Sequence, residues 1–343
     1  MRTFVVNRDG STEIREIPKP RYNSRQALVK TVACGMCGTD VKLLHRTFKG
    51  FPESVYPIML GHEGVGEVVE IGSEVTSFQI GDKVLLPFVD PDPELYPGMG
   101  SGWGALSEYA VICDPAPWPE GEAPSCGYAQ TVLDPDVDPV DAVMIVTFRE
   151  VLSNIRYFGI KPGDSVVVFG CGPVGSTFIK FLNLCGVEDV TAVDIIEEKL
   201  QNVKANGAKY IINSKTADVT EEVRKLYPQG VDYVLDAIGA PFVVNAAMPL
   251  IKDRGTVLCY GVPEKEEITI DFSKADYNWS VVYQQMPRKE EEGAATEQVM
   301  EWLRSGQLKI KDFISDYFKF EDSVEAYEKL LNREITKKGI IVF

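Results

Sequence analysis

The spacing of hydrophobic positions divides this chain into three stretches. Residues 1 to about 150 contain short β-like runs, such as 26–32 and 64–71, separated by turns rich in Gly, Pro and Asp. From about 151 to 285, apolar strands alternate with segments of helical spacing, beginning with the continuous apolar run 165–169. The remainder, 286–343, mixes helix and strand and ends in a strand-like run.

These patterns predict an α/β protein with two domains. Strands that alternate with helices predict a doubly wound parallel sheet with right-handed crossovers over residues 151–285. Short strands separated by turns predict a mostly antiparallel β domain over residues 1–150. We assign residues 286–343 to that β domain as well, because their final strand is able to pair back into it.

Composition narrows the class of protein. The chain has 343 residues, 45% apolar and 25% charged, with a mean hydropathy of -0.07, which excludes a disordered, collagen-like or membrane-embedded protein. Its net charge of -16 repels nucleic acid and anionic lipid, so we expect neither as a partner. The N-terminus has the pattern of a strand and turn rather than a secretory signal, which predicts a cytoplasmic protein.

A glycine-rich loop is the first candidate site. It follows the buried strand 165–169, opens a helix, and has the G-x-G-x-x-G sequence Gly170-Cys171-Gly172-Pro173-Val174-Gly175. Glycines at these positions allow a tight turn and close approach of a pyrophosphate to the backbone, and the helix N-terminus supplies unpaired N–H groups. The strand and helix on either side make this loop a strong dinucleotide-binding signal.

Asp194 ends the next strand and predicts which dinucleotide binds. Its carboxylate accepts hydrogen bonds from the adenosine ribose and repels a 2′-phosphate, and no Arg follows it in residues 195–197. NAD is therefore expected rather than NADP. Lys199, which is equally well explained as a solvated helix lysine, and Tyr260, at the end of a later strand, complete the candidate cofactor residues.

A second candidate site holds ligands for a metal. Cys37 lies in a Cys-Gly-Met-Cys-Gly-Thr-Asp segment that begins at Cys34, and His62 and Glu63 lie in a Gly-His-Glu-Gly turn. A thiolate, an imidazole and a carboxylate that converge from separate loops match the three-ligand pattern of a catalytic zinc. Cys34 has no second CxxC to join it in a four-sulfur site, so we interpret it as a packed thiol.

These motifs, with Gly-x-x-x-Glu-Tyr at residues 104–109, resemble the zinc-dependent medium-chain alcohol, sorbitol and threonine dehydrogenases along essentially the whole chain. The resemblance implies a GroES-like catalytic domain, a Rossmann domain, and an oligomer, either a homodimer or a homotetramer. It also implies that Cys37 and His62 bind zinc and that Glu63 is a third ligand or a close second-sphere carboxylate. The resemblance further implies that the Thr39 hydroxyl takes the proton of the substrate alcohol.

The chain departs from many relatives at three places. It has no cysteine between Cys37 and Cys113, so the structural zinc of many relatives has no ligands here and one zinc is expected. Lys42 replaces the histidine that ends the relatives' proton relay. Val146 stands where relatives often carry a metal-facing Cys or Glu. If Glu150, one helical turn later, reaches the zinc, it is a ligand or a base; otherwise it is a surface residue.

The favoured function is an enzyme that transfers a hydride between NAD and a secondary alcohol, with zinc as the Lewis acid. Its small-molecule substrate is a polyol, a sugar derivative or an aminocyclitol. One alternative is oxidation by a retained, recycled NAD, coupled to elimination or epimerisation of a sugar-like substrate. Another is a non-catalytic dinucleotide-binding protein.

Overall fold

The computed structural model describes residues 1–263 and 267–343. The chain folds into two compact units. The first unit is formed by both ends of the chain, Met1–Arg149 and Arg288–Phe343, and the second is the continuous segment Glu150–Pro287.

The first unit is built on two sheets of mostly antiparallel strands. One sheet has the order β2-β1-β4-β7, and the other has the order β15-β16-β3-β5-β6, with β8 also paired to β3. The strands are β1 (Arg2–Val6), β2 (Thr12–Glu16), β3 (Gln26–Gly35), β4 (Ile58–Met59), β5 (Glu63–Ile71), β6 (Lys83–Leu85), β7 (Gly100–Ser101), β8 (Tyr109–Cys113), β15 (Ile314–Lys319) and β16 (Lys338–Val342).

Strand β3 lies at the centre of the larger sheet, between β5 and β16. Its Gly35 end pairs antiparallel with Glu63 of β5 on one side and with Ile340 of β16 on the other. The final strand of the chain therefore pairs with β3, as its sequence predicts. As a result, residues far apart in sequence meet at one end of this sheet.

Three helices complete the first unit, and a fourth contains the boundary between the units. They are α1 (Gly38–Leu44), α7 (Lys289–Arg304), α8 (Ser323–Leu331) and the boundary helix α2 (Met144–Phe158). Val146 and Glu150 share α2, and Val146 is buried. Short 3-10 turns lie at Glu53–Val55, Ser125–Tyr128, Asp141–Val143, Ile310–Phe313 and Phe320–Asp322.

The second unit is a parallel sheet with the strand order β11-β10-β9-β12-β13-β14. Its strands are β9 (Ser165–Phe169), β10 (Asp189–Asp194), β11 (Tyr210–Asn213), β12 (Val231–Asp236), β13 (Ile251–Cys259) and β14 (Ser280–Tyr283). The helices are α3 (Pro173–Leu184), α4 (Glu197–Ala205), α5 (Val219–Leu226) and α6 (Val243–Ala247), and 3-10 turns lie at Met248–Leu250 and Phe272–Lys274. This order is that of a Rossmann fold, so the predicted fold class is confirmed.

The sheet places the glycine loop at its topological switch point. Strand β9 is buried from Val166 to Phe169, and it lies between β10 and β12, where the strand order reverses. Dinucleotides bind at this point of doubly wound folds. The sequence indicates β13 only by the apolar run that starts at Thr256, five residues after the strand begins, and it gives no clear signal for β14.

Within residues 1–263 and 267–343, no helix has both the length and the apolar character needed to cross a membrane.

Candidate metal centre and dinucleotide site

Cys37, His62 and Glu63 form a compact group of metal-ligating side chains. Cys37 directly precedes α1, and His62 and Glu63 stand at the start of β5. One ligand atom from each lies within 4.8 Å of the other two. Cys37 and His62 are half-buried, whereas Glu63 is buried. One sulfur, one nitrogen and one carboxylate oxygen are donors that zinc accepts, so these residues fit a zinc ion with a coordination position left open.

Glu63 is held by a buried ion pair with Lys338, the first residue of β16. The Lys338 Nζ donates to Glu63 Oε1 at 2.7 Å and to Oε2 at 2.5 Å, and both side chains are almost completely buried. Thr147 Oγ1 also donates to Oε1 at 3.1 Å. The carboxylate therefore has a fixed position and a compensated charge. Whether it binds zinc directly or acts from the second sphere stays a prediction.

Gly35 gives this carboxylate the space it needs. A Cβ atom at residue 35 would lie 2.2 Å from Glu63 Oε2, which is closer than real Cβ atoms approach, and 3.2 Å from Glu63 Cβ, which is a tight contact. Because Lys338 and Thr147 hold the carboxylate, it cannot simply rotate away. The glycine of the Cys34-Gly35 pair therefore allows Glu63 to approach β3.

A buried carboxylate, Asp40, lies behind the Cys37 and His62 ligands. Its Oδ2 accepts hydrogen bonds from the Cys37 backbone N–H at 3.0 Å and from the Tyr327 hydroxyl at 2.9 Å. Its Oδ1 lies 3.3 Å from His62 Nδ1. Metal-ligating histidines commonly direct their second ring nitrogen at such a carboxylate, which fixes the tautomer and the ring orientation. The sequence motif includes Asp40 but did not indicate this role.

The electrostatic environment of the site raises the pKa values of both Cys34 and His62. Burial, and then the charges of Asp40 and Glu63, raise the pKa of Cys34 well above its usual value, which favours the neutral thiol. Burial alone would lower the pKa of His62, but the charges of Asp40 and Cys37 outweigh it and raise that pKa well above its usual value. The His62 side chain therefore lies in a negative environment, which favours a positive charge at this position.

An aromatic cluster packs against the imidazole of His62. The Trp103 ring lies 5.2 Å from the His62 ring, 5.6 Å from Phe51 and 6.1 Å from Phe48, measured between centroids. Trp103 has a φ of 70°, a left-handed conformation that is unusual for a residue other than glycine. Such strain is retained where surrounding structure enforces it, often at a ligand site. The cluster forms an apolar wall beside the ligands.

The proposed proton-relay residues lie along α1. Thr39 is half-buried and follows Cys37 by two residues, and Lys42 is also half-buried. His45 caps the C-terminus of this helix and is exposed.

Polar contacts hold the segment around Asp92, a part of the chain that contains no cysteine. Arg21 Nε and Nη2 each donate to Asp92 at 3.0 Å, and the same carboxylate accepts from the backbone N–H groups of Glu94 and Leu95. Tyr96 is buried against this turn. An arginine fork and a capped turn therefore hold this segment in place.

The glycine loop in the second unit has the geometry that its sequence predicts. Gly170 has a φ of 94°, and a Cβ at Gly175 would lie 1.8 Å from the Gly170 carbonyl oxygen, so only glycine allows α3 to start this close to β9. Gly172 is the N-cap of α3, Pro173 is its first residue, and no atom lies within 4 Å of a Cβ built at Gly172. Val174 is half-buried. The N–H groups of the first helical turn have open space for an anion.

Asp194 joins this loop to the end of β10. Its Oδ2 accepts a hydrogen bond from the Cys171 N–H at 2.7 Å, and its Oδ1 accepts from Ile195 N at 2.7 Å and Ile196 N at 2.9 Å. A carboxylate oxygen has two lone pairs, so Oδ2 retains capacity for one more donor. Asp194 therefore fixes the loop and can still accept a hydrogen bond from a bound molecule.

The structure places the other predicted residues of this unit as follows. Lys199 is half-buried on α4. Burial of the Cys171 thiol raises the pKa of Cys171, and the positive charge of Lys199 partly offsets that rise. Tyr260 follows β13, and its hydroxyl donates to Glu150 Oε2 at 3.3 Å while its ring packs against Phe178. Glu150 is half-buried. Its role at a metal stays a prediction.

Comparison with known proteins identifies the family to which this chain is similar. Residues 23–117 match the family model for an alcohol dehydrogenase GroES-like domain, and residues 173–299 match that for a zinc-binding dehydrogenase. The chain is 24% identical to the sorbitol dehydrogenase of Bacillus subtilis, with 96% of this chain and 94% of the relative covered. It is 27% identical to the D-xylulose reductase of Saccharomyces cerevisiae, with 99% and 96% covered.

A solved structure supports the same assignment. The alcohol dehydrogenase TADH from Thermus sp. ATN1 superposes with a TM-score of 0.80 at 25% identity, covering 100% of this chain and 99% of that one. The chain therefore belongs to the zinc-type medium-chain alcohol and polyol dehydrogenases, as its motifs predict. It is an oxidoreductase of the alcohol dehydrogenase type, a class that acts on small-molecule alcohols with zinc and a nicotinamide dinucleotide.

Proposed function

We propose that this chain uses one zinc ion and NAD to oxidise a secondary alcohol of a polyol, a sugar derivative or an aminocyclitol. The observation that carries the proposal is the group of ligand atoms from Cys37, His62 and Glu63, within 4.8 Å of one another. Two relatives named above, a sorbitol dehydrogenase and a D-xylulose reductase, support polyol chemistry. We further propose that the enzyme works in the cytoplasm as a homodimer or homotetramer.

The proposed zinc, held by Cys37 and His62 with Glu63 as third ligand or neighbour, supplies Lewis acidity toward the substrate oxygen. Asp40 orients the His62 ring, and Lys338 compensates the buried charge of Glu63. The Thr39 hydroxyl accepts the proton of the substrate alcohol and passes its own proton outward, by way of the cofactor ribose, to solvent.

The aromatic wall supports a substrate with an apolar face. Trp103 lies beside His62 and Phe51 packs against Trp103, so this wall meets the carbon skeleton next to the oxygen that reacts. One face of a cyclitol or sugar ring presents C–H groups, which pack on aromatic rings, while its hydroxyl groups point elsewhere. Trp103 is in this proposal a specificity residue of the substrate pocket.

Asp194 supports the choice of NAD. A bound dinucleotide supplies the hydride acceptor at its nicotinamide ring. The Asp194 carboxylate is a hydrogen-bond acceptor with a negative charge. It therefore accepts a hydrogen bond from a ribose hydroxyl at Oδ2 and repels a 2′-phosphate. The loop glycines and the first turn of α3 hold the pyrophosphate.

Glu150 is proposed as a further ligand or, in the alternative elimination or epimerisation reaction, as the base that removes a proton from the substrate. Tyr260 donates to its carboxylate, which restrains the side chain without removing its capacity to accept a proton. A base of this kind contributes about 10² to 10⁴ in rate when it is positioned on the reacting group.

The proposal is tested with an absorbance assay at the NADH band. Purified zinc-loaded protein is given NAD or NADP and a panel of polyols, aminocyclitols, sugar derivatives and simple alcohols. We expect NADH formation with polyol-type substrates and a preference for NAD. Substrate conversion without net NADH, by protein that retains NAD through purification, would instead indicate the recycled-cofactor reaction. Normal NAD binding by protein that takes up no zinc and converts no substrate would indicate a non-catalytic protein.

A further inference from the structure

Helix α8 brings a fully buried tyrosine, Tyr327, toward the metal centre. Its relative exposure is 1%, and its ring stacks on Phe4 with centroids 4.8 Å apart and an interplanar angle of 16°. Apolar packing therefore accounts for the ring and leaves the hydroxyl to be explained. A buried hydroxyl needs a partner, because desolvation without a hydrogen bond costs free energy.

That partner is Asp40. The Tyr327 hydroxyl donates to Asp40 Oδ2 at 2.9 Å, although the two residues are 287 positions apart in sequence. Burial, together with the charge of Asp40, raises the pKa of Tyr327 well above its usual value. The hydroxyl therefore keeps its proton and remains a donor throughout the neutral range.

Asp40 is in contact with both soft ligands of the proposed zinc. Oδ2 accepts from the backbone N–H of Cys37, and Oδ1 faces His62 Nδ1. With its side chain completely buried, Asp40 has no bulk water available to complete its hydrogen bonds. Removal of the tyrosine hydroxyl leaves the Cys37 N–H as the donor at Oδ2, so the carboxylate is held less firmly in its position facing His62.

We infer that Tyr327 is a positioning residue for the metal centre, which acts through Asp40 to hold His62 in the orientation and tautomer that bind zinc. His62 Nδ1 and Asp40 Oδ1 lie 3.3 Å apart in this structure without forming a hydrogen bond. Zinc at Nε2 would leave the proton on Nδ1, from which it would be donated to Asp40. The inference rests on the proposed function, since it requires that Cys37 and His62 bind zinc.

The test is Tyr327→Phe, which removes the hydroxyl and keeps the stacked ring. The matched control is Tyr96→Phe, another buried tyrosine of the same unit, whose hydroxyl donates to the Pro18 carbonyl oxygen rather than to the ligand network. Zinc affinity is measured by competition with a chromophoric chelator. Outer-shell changes typically weaken metal binding by about 10 to 100-fold, and we expect about tenfold for Tyr327→Phe and no change for Tyr96→Phe.

Two further readouts separate positioning from general destabilisation. In the cobalt-substituted protein, Tyr327→Phe is expected to shift the d–d absorption bands that report ligand geometry, whereas Tyr96→Phe leaves them unchanged. In the Asp40→Asn background, adding Tyr327→Phe is expected to change zinc affinity little, because the path through Asp40 is already broken.

The outcomes discriminate clearly. Wild-type zinc affinity and cobalt spectra in Tyr327→Phe would overturn the inference, as would equal losses in Tyr327→Phe and Tyr96→Phe or additive losses with Asp40→Asn. A wild-type protein that binds no zinc would contradict the proposed function itself. The two failures are therefore distinguishable.

Discussion

Replacing Lys338 by Met tests whether the metal centre depends on its buried ion pair. The Lys338 Nζ lies 2.7 Å from Glu63 Oε1, and both side chains are almost fully buried. At an effective dielectric constant of about 20, the attraction across this distance is about 6 kcal/mol, and desolvation of both groups offsets much of it. Removing one partner leaves an uncompensated buried charge. We therefore expect Lys338→Met to lower the free energy of unfolding by about 3 to 5 kcal/mol.

The assay is urea unfolding of the metal-free protein, followed by tryptophan fluorescence. Trp103, Trp118 and Trp302 belong to the first unit and Trp279 to the second, so a Trp279→Phe background reports the first unit alone. The matched control is Lys329→Met, which breaks an exposed pair with Glu325 and should leave the unfolding midpoint nearly unchanged.

A double-mutant cycle completes the experiment. Glu63→Gln combined with Lys338→Met should cost less than the sum of the single changes, because the double variant buries no unpaired charge. A loss below about 1 kcal/mol for Lys338→Met, or additive losses in the cycle, would refute the ion pair as the support of Glu63.

Three other changes test separate parts of the account. Gly35→Ala should displace the Glu63 carboxylate, lowering the free energy of unfolding by about 1 to 3 kcal/mol and reducing zinc content. The control Gly38→Ala has open space around its Cβ and should do neither. Equal effects of the two changes would contradict the packing argument. Asp194→Ala should reduce the ratio of kcat/KM for NAD over NADP, and a wild type that prefers NADP would show that Asp194 is misassigned. Glu150→Gln should lower kcat by about 10² or more if Glu150 is the base, and unchanged kcat would exclude that role.

The dinucleotide loop was predictable because its signals are local. Strand β9, the glycines and the start of α3 are contiguous, and Asp194 ends the next strand at the expected spacing. The family and the fold class follow from these local motifs and are confirmed. Strand β13 was placed less well, since Arg254 and Gly255 resemble a turn although they lie inside the strand.

The support of the metal centre was not predictable from local pattern. Lys338 is 275 residues from Glu63, and Tyr327 is 287 residues from Asp40. Lys338 did carry one signal, a lysine at the start of an otherwise apolar final strand. A tyrosine in an amphipathic helix such as α8 carries none, because its ring satisfies the core pattern whether or not its hydroxyl has a partner.

The most direct test of the central claim is elemental analysis of the purified protein, combined with circular dichroism and the NADH assay. The account predicts one zinc per chain in the wild type, and loss of zinc and activity together, with the fold retained, in Cys37→Ser and His62→Ala. Two tightly held zinc ions per chain would contradict it. Full activity in zinc-free protein, or global unfolding of His62→Ala, would contradict the assignment of this group as a catalytic zinc site.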